Sequence, residues 1–156
     1  MKIPDIKFHQ TLNALRKWCA AQERCQQECF FKLRILGLGE EQAEQALAQL
    51  ISEGFINEER FARTFARGKF RIKKWGKRKI VFELKKRNIS EYCVRKAMQE
   101  IDSNDYRAAI EELIRKKSKE IKETEPYARN SKLAAYLISK GYEPEVVREA
   151  LNSTSD

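Results

Sequence analysis

One pattern of residues returns three times along the 156-residue chain, and any fold has to satisfy all three copies at once. The copies are Leu33-Arg34-Ile35-Leu36-Gly37-Leu38 with Ala46-Leu47, Leu84-Lys85-Lys86-Arg87-Asn88-Ile89 with Ala97-Met98, and Leu137-Ile138-Ser139-Lys140-Gly141-Tyr142 with Ala150-Leu151. Leu33 and Leu84 lie 51 residues apart, Leu84 and Leu137 lie 53 apart, and the aligned window needs no gap. Self-similarity at such a period marks one supersecondary unit used repeatedly. Gly37, Asn88 and Gly141 each follow an apolar-periodic stretch, where helices commonly end on one residue at positive φ, and Gly and Asn tolerate that conformation best. The apolar residue that follows (Leu38, Ile89, Tyr142) is placed to fold back on the finished helix. A further helix then opens at Gly39, at Ser90, or at Glu143 followed by Pro144; serine suits the N-cap and proline the first helical position.

Apolar residues at helical spacing continue each copy, as Ala43, Ala46, Leu47, Leu50 and Ile51 in the first and Val94, Ala97, Met98 and Ile101 in the second. Another helix precedes each pair, carried by Leu12, Leu15 and Trp18, then by Phe61 and Phe65, then by Ile110, Leu113 and Ile114. Asn57 with Glu58 and Glu59 behind it, and the run Ser103-Asn104-Asp105, supply the acceptors and acids that favour a helix start. No alternating Val/Ile/Thr-rich run argues for a sheet. The chain is therefore expected to be all-α, with three tandem three-helix units of helix-turn-helix character in an elongated, curved arrangement. The expected units span 8–56, 57–101 (basic and central) and 102–152. Units of this size are individually marginal, so neighbours should lean on one another.

Charge is concentrated in the middle unit. The formal net charge is +9, yet residues 63–87 carry twelve Lys or Arg against Glu83 alone, a local +11, so the other 131 residues sum to −2. Phe70 and Trp75 interrupt the cations, a pattern that stacks on bases or packs against protein while the cations meet phosphate or carboxylate. The plain alternative is a solvated helix face with both aromatics in the bundle, and an acidic protein partner is a third reading. No zinc-finger spacing, basic zipper or ribonucleoprotein motif argues for sequence-specific readout.

Other chemistry is poorly supplied. His9 is the only histidine, no glycine loop cradles a phosphate, and the acid pairs Glu40-Glu41, Glu58-Glu59 and Glu111-Glu112 suit helix starts or exposed faces, so no enzyme is expected. Cys19, Cys25, Cys29 and Cys93 lack the two-residue spacing of structural zinc ligands. Cys25 and Cys29 on one helix face, with Cys19 or His9, would make a metal site geometrically conceivable, but reduced thiols in a cytoplasmic protein are the expectation, with no metal or cofactor. Apolar stretches are short and broken by charges, so neither a signal peptide nor a membrane span is expected.

The stretch Glu53-Gly54-Phe55-Ile56-Asn57-Glu58-Glu59-Arg60-Phe61-Ala62-Arg63, followed by Gly76, Ile80, Glu83-Leu84, Arg87 and Ile89, resembles the middle section of the RecX family of bacterial recombinase regulators. The three-unit layout resembles that family too, from about Leu12 to Leu151. The resemblance implies a non-enzymatic modulator that binds the RecA filament on single-stranded DNA and restrains its ATPase, strand-exchange and coprotease activities. It implies contacts to single-stranded DNA, and to double-stranded DNA by the same charges. Arg60, Phe61 and Arg63 match the family's motif, although Phe61 at helical spacing with Phe65 reads as core and Arg60 as well suits an internal acid. The stronger candidates are Arg67, Arg71, Lys73, Lys74, Lys77, Arg78 and Lys79. Asn88 departs from the glycine frequent there and adopts the same turn. The alternative is a helical module that binds DNA through residues 63–87 without recognising RecA. A monomer is expected, because three helical units cover one another's apolar faces.

Overall fold

The computed structural model describes the backbone of residues 3–154 and the side-chain surroundings of 6–153. Among these residues the elements are all helices: α1 (Ile3–Ala21), α2 (Gln26–Ile35), α3 (Glu40–Ser52), α4 (Glu58–Lys73), α5 (Lys77–Lys86), α6 (Glu91–Met98), α7 (Ser103–Ser118), α8 (Pro126–Ser139) and α9 (Pro144–Thr154). They pack in threes, α1 to α3, α4 to α6 and α7 to α9, with the helix contacts falling inside each set.

The repeated turn has one geometry in all three places. Gly37, Asn88 and Gly141 sit at φ 104°, 59° and 103°. Their N–H groups donate to the carbonyls of Arg34, Lys85 and Ile138 at 3.0, 3.0 and 2.9 Å, and the next residues, Leu38, Ile89 and Tyr142, donate to Leu33, Leu84 and Leu137 at 3.2, 3.1 and 3.1 Å. This pair of bonds is the Schellman closure of a helix end, which satisfies carbonyls the helix leaves unpaired. Leu38, Ile89 and Tyr142 are buried, as the fold-back requires. Asn57 and Ser90 cap α4 and α6, accepting from the Arg60 and Cys93 N–H groups at 2.8 and 3.2 Å. Two expectations need correction. The α7 cap is Asp102, which accepts from Asn104 and Asp105, so the acceptor lies one residue ahead of the Ser103-Asn104-Asp105 run. Ile51 is 39% exposed, because α3 buries Ala43, Ala46 and Leu50 and Ile51 falls off that face.

The buried residues form two cores. Leu12, Leu15, Cys19, Cys29, Leu33, Leu38, Leu50 and Ile56 belong to the first three helices. A second, continuous core runs through α4 to α9, from Phe61 and Phe70 through Ile80, Leu84 and Tyr106 to Leu137, Tyr142 and Val147, and Cys25 reaches into it from the turn between α1 and α2. The chain exposes 9875 Å², against about 8,100 Å² for a compact monomer of this mass, an excess that goes with an extended outline.

Between the second and third sets the joint is made by backbone. The Gly76 N–H donates to the Lys140 carbonyl at 2.8 Å and the Arg78 N–H to the Gly141 carbonyl at 2.9 Å. The Lys77 N–H donates to the Tyr106 hydroxyl at 2.9 Å, and that hydroxyl donates to Glu143. The open N–H groups at the start of α5 are thus satisfied by the open carbonyls at the end of α8, two helix ends that otherwise need caps. Only glycine permits the approach: a Cβ on Gly76 would lie 2.2 Å from the Gly141 carbonyl carbon. Gly76→Ala is therefore expected to destabilise the protein by roughly 2–3 kcal/mol through overpacking against backbone that cannot move aside. Gly68→Ala, in mid-helix with nothing within 4 Å of the added methyl, should stabilise by about 0.5–1 kcal/mol. Thermal unfolding of the two variants should move the midpoint in opposite directions.

Candidate nucleic-acid and partner interface

The basic segment runs along the last turns of α4, through a turn at residues 74–76 and along α5. Lys74 ends α4 in the left-handed region, at φ 58° and ψ 35°, a conformation costing a lysine roughly 1 kcal/mol. Its N–H donates to the Phe70 carbonyl at 3.0 Å, and its carbonyl accepts from the Tyr142 hydroxyl at 2.9 Å, so the third set of helices holds the turn. The strained residue is a cation at the centre of the cationic run.

The nine sequence candidates divide by partner. Arg60 pairs with Glu23 and donates to the Gly54 and Phe55 carbonyls at 3.0 and 3.3 Å. Arg63 lies between Glu59 and Glu100, at 3.2 and 2.9 Å, and Arg67 lies 3.7 Å from Glu100. Arg71, Lys73, Lys74, Lys77, Arg78 and Lys79 have no carboxylate within 4.0 Å among the described residues. Phe61 is 5% exposed and belongs to the core, as its spacing suggested. Phe70 is buried against Tyr106 and Trp75 is half-buried, so the two aromatics of the segment differ in what they can offer.

Around Trp75 the lysines converge. The ammonium groups of Lys69, Lys73 and Lys79 lie 5.0, 5.8 and 4.6 Å from its ring centroid, and Phe65 meets its edge. Cations over a ring face are individually attracted, but three on one indole also repel one another. Lys69 is held below the ordinary lysine range by burial and by the nearby Lys73 and Arg87 charges. A phosphate or carboxylate would relieve that repulsion. Beside the cluster, a groove of about 320 Å³ opens between α4 and the turn before α2; Phe65, Gly68 and Ile72 line one wall and Glu23 and Glu28 the other. Ile72 is 83% exposed, an apolar tip standing among lysines.

Some participants are invisible in the sequence. Lys140, at the end of α8, has its pKa lowered by burial and by Lys79, which places it beside the basic segment. Tyr106 anchors the Lys77 N–H, and burial with the Glu143 hydrogen bond pushes its phenol well above the usual range. No local pattern announces either residue, because both arrive through the joint between sets. The cysteines also fall differently from the grouping of Cys25 with Cys29. Cys19 and Cys29 are neighbours in the first core, Cys25 sits in the second, and His9 is exposed on α1. No set of three or more His, Cys, Asp or Glu is gathered for a metal among the described residues.

Residues 57–98 match the family model described as "RecX, second three-helix domain" and residues 104–151 the model described as "RecX, third three-helix domain", together more than half of the chain. A regulatory protein RecX from Prosthecochloris aestuarii is 27% identical over 150 residues, covering 95% of both chains. Another from Caldanaerobacter subterraneus is 27% identical over 124 residues, covering 79% of this chain and 59% of its own length. Among solved structures, that of RecX from Lactobacillus salivarius superposes with a TM-score of 0.85 at 19% identity, covering 96% of this chain and 97% of that one. A second structure, described as regulatory protein RecX, superposes at 0.86 with 17% identity, covering 96% of this chain and 73% of its own.

The division of the cations has a direct test. Arg60→Ala and Arg63→Ala remove groups bonded inside the chain and should each lower the urea midpoint below that of the parent. Arg71→Ala and Arg78→Ala should stay within about 0.5 kcal/mol of the parent. Urea midpoints for the four variants would separate framework arginines from available ones.

Proposed function

The chain belongs to the RecX family of regulatory proteins, and on that footing we propose that it binds the RecA filament on single-stranded DNA and restrains its ATPase, strand-exchange and coprotease activities. The observation that carries this reading is the set of cations with no carboxylate within 4.0 Å among the described residues, Arg71, Lys73, Lys74, Lys77, Arg78 and Lys79, of which Lys73 and Lys79 lie over the Trp75 ring. Charges so arranged supply the sequence-independent part of nucleic-acid binding, and an indole among them offers a face on which any base stacks. An extended chain of helix sets also spreads modest contacts over neighbouring subunits of a helical polymer. In this reading Arg60, Arg63 and Arg67 hold the surface in shape, and the six unpaired cations, with Lys140, make the contacts. The protein acts by binding and without a cofactor, as a monomer in the cytoplasm; no helix among the described residues is long and apolar enough to cross a membrane.

The Trp75 cluster also favours a second reading, a helical module that competes for DNA through its basic segment without engaging RecA. The single-stranded-DNA-dependent ATPase of the cognate RecA distinguishes the two, with this protein titrated at fixed excess DNA. A filament binder suppresses turnover far below one molecule per available DNA site; a competitor acts only as free DNA is consumed. Reversing the charges of Lys73, Lys74, Lys77 and Arg78 together is expected to abolish suppression with helicity retained. It should also flatten the salt dependence of single-strand affinity by about 3 in the log-log slope, at roughly 0.7 for each phosphate no longer neutralised. Unchanged suppression by that variant would remove the basic segment from the mechanism.

A further inference from the structure

Several of the ties between the first three helices and the next three come from residues 23–28, the turn after α1 and the first turn of α2. Glu23 pairs with Arg60 on α4, Cys25 enters the second core, and Glu28 lies 3.8 Å from Arg87 at the end of α5. Two cysteines flank the segment. Cys19 near the end of α1 and Cys29 in α2 are both buried in the first core, and their Sγ atoms are 3.6 Å apart. We propose that Cys19 and Cys29 form a reversible disulfide under a peroxide or a low-molecular-weight disulfide, and that closing this ring stiffens the docking segment 20–28.

The geometry favours this pair over the other thiols. The Cys19 and Cys29 Sγ atoms are 3.6 Å apart, against about 2.05 Å in a disulfide bond, so the two sulfurs are already in contact. Cys25, four residues from Cys29 on the same turn of chain, is directed into the other core, where burial pushes its thiol up to about 11 and keeps it protonated. Cys93 lies in α6 with Ser90 as its neighbour, in the second core and not in the first with Cys19 and Cys29. Cys19 faces the opposite surroundings: the Cys29 thiol hydrogen-bonds to it, and Arg24 and Arg60 favour its thiolate against the opposing charge of Glu23 and the effect of burial. Cys29 is correspondingly held as the protonated partner. Cys19 is 6% exposed and Ala20, Ala21 and Gln22 beside it are exposed, so a small oxidant has a short path.

With a peroxide, the Cys19 thiolate attacks one oxygen, the O–O bond breaks, and a sulfenic acid forms as water leaves after protonation. Cys29 sulfur then attacks the Cys19 sulfur, the S–O bond breaks, the Cys29 proton goes to the departing hydroxide, and a second water is released. The two thiols together give up two electrons and two protons to the peroxide. With a low-molecular-weight disulfide the same electrons pass by two exchanges, through a mixed disulfide on Cys19, releasing two small thiols. Reversible pairs of this kind are the form in which disulfides occur in reducing compartments.

The test uses the full chain with Cys25→Ser and Cys93→Ser, which leaves Cys19 and Cys29 as the only thiols. Hydrogen peroxide, and separately oxidised glutathione, should lower the intact mass by two hydrogens and abolish reaction with an alkylating reagent, and a dithiol reductant should restore both. Cys29→Ala in the same background should stop at a sulfenic acid or a glutathione adduct. In the otherwise unaltered protein, alkylatable thiols should fall from the four present to two, and hydrogen exchange across residues 20–28 should slow on oxidation. Failure of both oxidants to close the bond while circular dichroism shows the helices intact would overturn the proposal, as would a bond to Cys25 in the parent chain. Exchange across 20–28 that does not change on oxidation would overturn its second half. None of these readouts involves RecA or DNA, so the outcome is independent of the proposed regulatory activity.

Discussion

The approach of the Gly76 turn to the Gly141 turn decides where the cationic surface can be. Helix α5 begins with N–H groups that have no partner in their own helix, and α8 ends with carbonyls in the same position; the structure joins them at 2.8 and 2.9 Å. Because the joint is backbone to backbone, it fixes orientation more tightly than side chains would, and it requires a residue without a Cβ on each side. The repeated turn therefore serves two purposes at Gly141, closing its own helix and receiving the preceding helix set. Gly37 and Asn88 close theirs, and Asn88 shows that this task tolerates a side chain.

Electrostatics follows from that joint. The long arginines nearest the acids, Arg60, Arg63, Arg67 and Arg87, are drawn into pairs with Glu23, Glu59, Glu100, Glu83 and Glu28. The lysines and arginines around the turn at 74–76 have no carboxylate within 4.0 Å among the described residues, and Lys140 adds a charge from α8. Grouping like charges in this way destabilises the free protein slightly, most visibly at Lys69, where burial and neighbours disfavour the ammonium. An anion bound there would relieve that repulsion.

How much of this could be read from the chain depends on whether the cause is local. Helix ends at Gly37, Asn88 and Gly141, the caps at Asn57 and Ser90, and the core positions Phe61, Ile110 and Leu113 follow from neighbours within one or two turns, so periodicity and capping chemistry reveal them. The cationic run is legible for the same reason. Which of its members are available is not, because Arg63 is neutralised by Glu100, thirty-seven residues away, and Arg60 by Glu23, across a different turn. Tyr106 and Tyr142 brace the turn from the core, and Lys140 comes beside the basic segment, only because two turns meet, and the contact of Cys19 with Cys29 depends on how α1 crosses α2. Cys25 looked equivalent to Cys29 by spacing, yet one reversal of chain direction sends it into the other core.

The two joints between helix sets are of different physical kinds. Between the second and third sets, a continuous apolar core and backbone hydrogen bonds act together, and neither is weakened much by salt. Between the first and second, the ties include partly exposed ion pairs, Arg60 with Glu23 and Arg87 with Glu28, the bonds from Arg60 to the Gly54 and Phe55 carbonyls, and the buried thiol of Cys25. Partly exposed pairs contribute little each and are screened by ions. The ties of the first set are accordingly the ones that added salt weakens most. The surface carried by α4 to α9 is therefore the part held by the ties that salt weakens least.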